Sequence, residues 1–223
     1  MQKLCDFFQL KKGVTALIGG GGKTSTMYAL AEELRQYGSV VICTSTHILC
    51  PPQYRYLPRL GRPLICGEVV STGVSDGRKL TLPQQSFDEL CTYADYVLVE
   101  ADGSRQLPLK AHAAHEPVIP DDANCVLTVI GIDGLGRTIC EAAHRPERYA
   151  QLCATNIDAI VTPNMIQRVI STYPRSDGII INKADNDELI AKAEFLAEMF
   201  DVPVAITAWQ TSNPIKRLRR HMV

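Results

Sequence analysis

None of the eight cysteines forms a C-x-x-C pair, and no cysteine–histidine group has zinc-finger spacing. That excludes a zinc finger. No apolar run approaches the ~20 residues of a membrane span. Lys11 and Lys12 precede only a short apolar stretch, which does not read as a signal peptide. The expectation is a reduced, cytoplasmic protein that does not bind membrane. Net charge is also scarce. The chain carries 23 Lys and Arg against 24 Asp and Glu, a balance of -1. No global field draws it to nucleic acid or an anionic surface. The one basic run, Lys216–Arg220 within KRLRRH, reads as a solvated last helical turn rather than a nucleic-acid tail. Repeats and low-complexity tracts are missing.

What is present suits one substantial core. Hydrophobic residues make up 46% of the 223. Strand-like and helix-like runs alternate. Val14–Ile18 is apolar and ends in glycines. Residues 24–37 carry Met27, Leu30, Ala31 and Leu34 on one stripe, and Gly38 stops that helix. Val40–Cys43 is the next strand, which completes a βαβ unit with parallel strands. Further strands are expected at Tyr96–Val99, Cys125–Ile132, Gly178–Ile181 and Val202–Ile206. Helices are expected at Ser86–Tyr93, His144–Ala154, Pro163–Thr172 and Asp187–Phe200, with Thr162-Pro163 as N-cap and N1. Leu64–Val70 and Arg78–Leu82 read as two short strands around a turn at 75–77. The fold class is α/β: a mainly parallel sheet flanked by helices. One domain over 1–223 is expected, with residues 51–83 as a small inserted or edge β segment.

The strongest motif is Gly19-Gly20-Gly21-Gly22-Lys23-Thr24-Ser25, placed between a strand and a helix. Glycines let backbone N–H groups turn around an anion, and a helix N-terminus adds positive potential. Lys23 can reach β- and γ-phosphates, and the Thr24 hydroxyl can ligate Mg²⁺. The spacing is short. Leu17 stands where G-x-x-x-x-G-K-[ST] needs glycine, which leaves G-x-x-G-K-T, a form that resembles the loop of Mur ligases and folylpolyglutamate synthases.

Tyr96–Val99 runs into Glu100-Ala101-Asp102. Two carboxylates of the same parity at a strand end suit a Mg²⁺ ligand and a group that positions water. Thr46, in Thr44-Ser45-Thr46-His47, lies at another strand end and is a second candidate for Mg²⁺ or the γ-phosphate. A plain hydroxyl-rich turn is the alternative. The segment that follows Asp102 carries Arg105, Lys110, His112 and His115 and reads as a substrate or switch loop. The two histidines alone are a poor zinc signal. Asn182-Lys183-Ala184-Asp185 looks like the guanine-specifying motif of GTP-binding proteins. The Asp185 carboxylate can accept both guanine N1–H and the 2-amino group, while the Lys183 stem lies along the base. GTP is thus favoured over ATP, with Mg²⁺ as the metal.

These motifs together resemble the YqeC-type accessory proteins of selenium-dependent molybdenum hydroxylases. The resemblance rests on GGGGKTS, TSTHI at Thr44–Ile48, VEADGSRQLPLKAHAAHEPVIP, VTPN at Val161–Asn164 and INKAD. It implies a P-loop NTPase-like fold and a role in maturing a molybdenum enzyme that carries labile selenium. It transfers no settled catalytic residue. The assignment of Lys23, Glu100 and Asp102 to catalysis rests on phosphate-loop chemistry. A molybdenum hydroxylase, or its cofactor, is the implied partner, and a homodimer is an open option. Two alternatives stand beside an NTP hydrolase: an ATP-dependent ligase or kinase, and a nucleotide- or molybdopterin-binding module without turnover. Any of the eight cysteines could carry sulfur or selenium; Cys50 is the most interesting of them, although a structural role suits it better.

Overall fold

The computed structural model describes residues 2–220. Contacts divide the chain into two compact units. The first comprises the chain up to Ile18, Thr24–Gly103 and Pro117–Val126; the second comprises Gly19–Lys23, Ser104–Glu116 and the chain from Leu127 onward.

In the first unit, strand Gly13–Gly19 pairs in parallel with Tyr96–Glu100, which pairs in parallel with Val40–Thr44. Val69–Ser71 and then Arg55–Tyr56 extend the ladder, again in parallel. Val40, Val41, Ile42, Val97, Leu98 and Val99 are all buried. Unbroken apolar runs of this kind are what a parallel strand covered on both faces requires. Helix Phe87–Tyr93 packs on Tyr96–Glu100 and is capped by Ser86, whose hydroxyl accepts from the Glu89 amide at 3.1 Å. His47–Leu49, Lys79–Thr81 and Val74–Ser75 form a separate antiparallel sheet.

In the second unit, the end of strand Ala123–Gly131 pairs in parallel with Gly178–Asn182, and that strand with Val204–Thr207. Ile215–Arg219 adds an antiparallel edge. Helix Asp187–Ala197 packs on Val204–Thr207. A core including Leu109, Ile139, Tyr149, Ile166, Ile181, Leu196 and Val204 lies behind these strands. Helix Pro163–Ile170 opens at Thr162 as expected, with the Thr162 side chain accepting from Met165 N.

Three expectations need correction. The basic run is a strand, not a helical turn. Arg217 bonds Glu194 and Arg219 bonds Glu198, so an exposed edge carries its charges on neighbouring acids. His221 of that run lies outside the described residues. The expected helix from His144 begins later. Ala143–His144 pairs with Leu109–Lys110, and the helix is Pro146–Cys153, because proline takes the first helical position. In the 51–83 segment, the hairpin partner of Lys79–Thr81 is Val74–Ser75. Val69–Ser71 joins the main ladder instead. Gly73, at φ 151° between these strands, lets the chain leave one sheet for the other.

Candidate functional site

In the second unit, the glycine loop is fixed by backbone. The Gly20 amide donates to the Val129 carbonyl and the Gly21 amide to Leu107, each at 2.9 Å. A Cβ on Gly19 would overlap the Val129 carbonyl, one on Gly20 the Leu107 and Pro108 carbonyls, and one on Gly21 the Gly131 backbone. Gly21 also has φ 70°, so no other residue fits there without strain. The Lys23 side chain is buried and donates to the Gly19 carbonyl at 2.7 Å. An ammonium held inside its own loop is already placed where an anion in that loop would meet it.

Asn182 ties the Asn-Lys-x-Asp motif to the same loop. Its Nδ2 donates to the Gly21 carbonyl at 2.8 Å, and its Oδ1 accepts from the Thr207 hydroxyl at 3.1 Å. The ladder sets Asn182 opposite Gly131, which fixes its position. Lys183 adopts φ 65° and its ammonium lies 2.8 Å from Asp133 Oδ2. Asp185 is exposed. A carboxylate facing solvent just past a strand end is available to a ligand.

In the first unit, the Thr24 hydroxyl donates to Glu100 Oε2 at 2.7 Å. Thr24 opens helix Lys23–Leu34, and Glu100 ends its strand, buried to 7% exposure. A hydroxyl and a carboxylate in contact are hard oxygen donors, the set that Mg²⁺ takes alongside its waters. Asp102 is fully buried. Thr44 faces Glu100 in register and donates to its carbonyl at 2.6 Å. The Thr46 amide bonds Thr44 Oγ1 at 2.9 Å, and the Thr46 hydroxyl lies 3.4 Å from the same atom. Ser25 is exposed. Among the described residues, no group of three or more His, Cys, Asp or Glu is placed to hold a metal. A cavity of about 410 Å³ in this unit is lined by Lys12, Cys91 and Asp95 and includes none of these residues.

The expected switch segment separates into buried and exposed parts. Lys110 is fully buried and 3.2 Å from Glu116, which also binds Arg145 at 2.9 Å. Burial pushes the Glu116 carboxyl up, but the Lys110 charge and the bonds from Arg145 and Lys110 outweigh it and leave it below the usual carboxylate range. The His112 ring packs on Tyr173 at 4.1 Å. His115 and Arg105 are exposed, and Arg105 and Gln106 take φ 50° and 63°.

The motifs did not point to Arg145, His144, Asp133 or Thr207 as parts of these clusters. The Arg-Pro step at 145–146 was a local signal for Arg145, since proline at N1 places the preceding residue at the helix mouth. Asp133 and Thr207 carry no such signal and are found only through pairing.

The fold and loop define the class: an α/β protein with mainly parallel strands and a glycine-rich loop between its first strand and the following helix. The family described as "YqeC protein" matches residues 15–147, and the chain belongs to that family. It is also 32% identical over 165 residues, 68% of its own length, to "Uncharacterized protein YqeC" of Escherichia coli (strain K12). The match spans 64% of that relative's length. No helix among the described residues is long and apolar enough to cross a membrane.

Proposed function

We propose that this protein binds a purine nucleotide with Mg²⁺ and hydrolyses it, as an accessory factor in the maturation of a selenium-dependent molybdenum hydroxylase. The observation that carries this reading is the glycine loop itself. Its glycines cannot bear side chains, and its lysine is buried within it. The Gly20 and Gly21 amides already donate to backbone carbonyls, and Lys23 would supply the positive charge that meets the phosphates. Thr24 and Glu100 would hold Mg²⁺, which would supply positive charge against the phosphates. Asp102, buried two residues past Glu100, would orient the attacking water.

GTP is favoured over ATP. Asn182 connects the loop to the segment bearing Asp185, so the phosphate end and the base end share one set of hydrogen bonds. The exposed Asp185 carboxylate would accept the two donors of a guanine edge, and the Lys183 stem would cover the ring. Hydrolysis would move the segment from Ser104 to Glu116, because its Leu107 carbonyl holds the Gly21 amide. The short loop also suits an ATP-dependent ligase or kinase, and a phosphate loop also suits a cofactor-binding module without turnover.

Phosphate release from GTP and from ATP, alone and with a molybdenum hydroxylase as partner, tests the proposal. Release that requires Mg²⁺, prefers GTP and disappears in Lys23→Ala is expected. Preference for ATP that is indifferent to Asp185→Asn turns the reading to a ligase or kinase. No release under any condition removes the hydrolase.

A further inference from the structure

The outer edge of the first unit's ladder carries a cavity of about 250 Å³. Register explains part of its lining. Arg55 pairs with Val70, so both side chains leave the sheet on the same side. Val70 and Leu60 are buried, and with Leu57 and Leu64 they give the cavity an apolar floor. Arg55, Arg59 and Arg62 line it as well, with Glu68 as the one acid.

The segment that builds this cavity is held along its length. The Leu57 amide donates to the Ser71 carbonyl at 2.9 Å, and the Leu64 amide to the Tyr93 carbonyl at 2.8 Å. Between them, buried Gln85 accepts from the Leu60 amide at 2.6 Å and donates back to the Leu60 carbonyl at 3.3 Å. Walls already fixed cost little to order when a ligand enters.

The three arginines are engaged to different degrees. Arg62 grips Glu68 with both terminal nitrogens, Nη2 to Oε1 at 2.8 Å and Nη1 to Oε2 at 3.1 Å. Arg59 gives Nη2 to Glu89 at 3.1 Å, which leaves its Nε and Nη1 without a bond among the described residues. The Arg55 side chain makes neither a hydrogen bond nor an ion pair among the described residues, and it is exposed. Three cations are thus paired with two carboxylates, and the cation left over stands at the rim of an apolar floor.

We propose that this cavity binds a small organic anion: an apolar ring or branched chain seated on Leu60 and Val70, with a carboxylate or phosphate head held by Arg55 and the open donors of Arg59. The guanidinium fork suits such a head because it can meet two oxygens at once. The volume of about 250 Å³ falls short of the ~300–1,000 Å³ usual for larger ligands, so the occupant is one ring or short chain with its acid. The site shares no residue with the glycine loop, Thr24 or Glu100, and it stands whether or not nucleotide binds.

Methyl signals of Leu60 and Val70 read the floor directly. Benzoate and phenyl phosphate are titrated separately into the full chain, with benzyl alcohol as the uncharged probe. At least one of the two anions is expected to move these signals to saturation. Affinity should be at least ~10-fold weaker for benzyl alcohol, and at least ~10-fold weaker for the anion in Arg55→Gln, the loss of one charged hydrogen-bonding group. Saturation by benzoate alone assigns a carboxylate, and saturation by phenyl phosphate alone assigns a phosphate ester. Arg55 bonds no other side chain, so the variant keeps the fold, which unchanged methyl signals of Val41 and Val97 would verify. No saturable shift with either anion, equal binding of benzyl alcohol, or undiminished binding in Arg55→Gln overturns the proposal.

Discussion

Two glutamates are nearly withdrawn from solvent in this protein, and their partners differ in kind. Glu100 is met by hydroxyl groups: Thr24 bonds its carboxylate, and Thr44 its carbonyl. Glu116 is met by cations, Lys110 and Arg145. An acid whose carboxylate takes a bond from a hydroxyl suits a hard divalent ion. An acid shared by two cations is bound into an ion-pair network. The same residue type is thus turned to different uses by its neighbours.

The largest expected effect separates the two by stability. Glu116→Gln removes the carboxylate that the buried Lys110 ammonium and Arg145 share and should cost about 3 kcal/mol. For a chain of this size that is a fall in Tm of roughly 6–12 °C by calorimetry. Glu100→Gln keeps an acceptor for Thr24 and should cost under ~1 kcal/mol. Equal losses would break the comparison.

Lys23→Ala should act on one side alone. Nucleotide affinity should fall about 100-fold, the loss of roughly two charge-assisted hydrogen bonds, with Tm little changed. Thr24→Val removes the hydroxyl and should weaken the Mg²⁺-dependent part of binding by roughly 10-fold, seen as a changed Mg²⁺ midpoint in calorimetric titration.

A further effect is one of pH. The His144 pKa is lower folded than unfolded, so the unfolded chain takes up the proton first. Stability should therefore decline as pH falls from about 6.5 toward about 4. Glu116, also depressed on folding, should add its loss below the ordinary carboxylate range. Urea midpoints should fall across the upper window in the native chain and stay flat there in His144→Gln. A slope retained in that variant would assign it elsewhere.

Much of this was legible in the sequence for local reasons. The apolar runs at Val40, Tyr96 and Gly178 announce buried parallel strands, and GGGGKTS states its own strand-to-helix context. Thr162-Pro163 carries its cap within two residues. The contacts that organise the candidate sites are not local. Asn182 reaches Gly21 across 161 positions, and Arg145 reaches Glu116 across 29. Nothing in spacing distinguishes Lys110, fully buried, from Arg105, exposed five residues earlier; only the pairing of Leu109–Lys110 with Ala143–His144 does so. The C-terminal basic run misled because charge density suggests a helix end, whereas antiparallel pairing with Val204–Thr207 settled it as an edge strand.

The central claim is that the glycine loop holds a nucleotide with Mg²⁺. The direct measurement is a titration of the purified full chain with fluorescent GTP and ATP analogues, with and without Mg²⁺, beside Lys23→Ala and Asp185→Asn. The account predicts Mg²⁺-dependent binding that favours GTP, is lost in Lys23→Ala and loses its guanine preference in Asp185→Asn. Binding of neither nucleotide, or equal binding in Lys23→Ala, would contradict it.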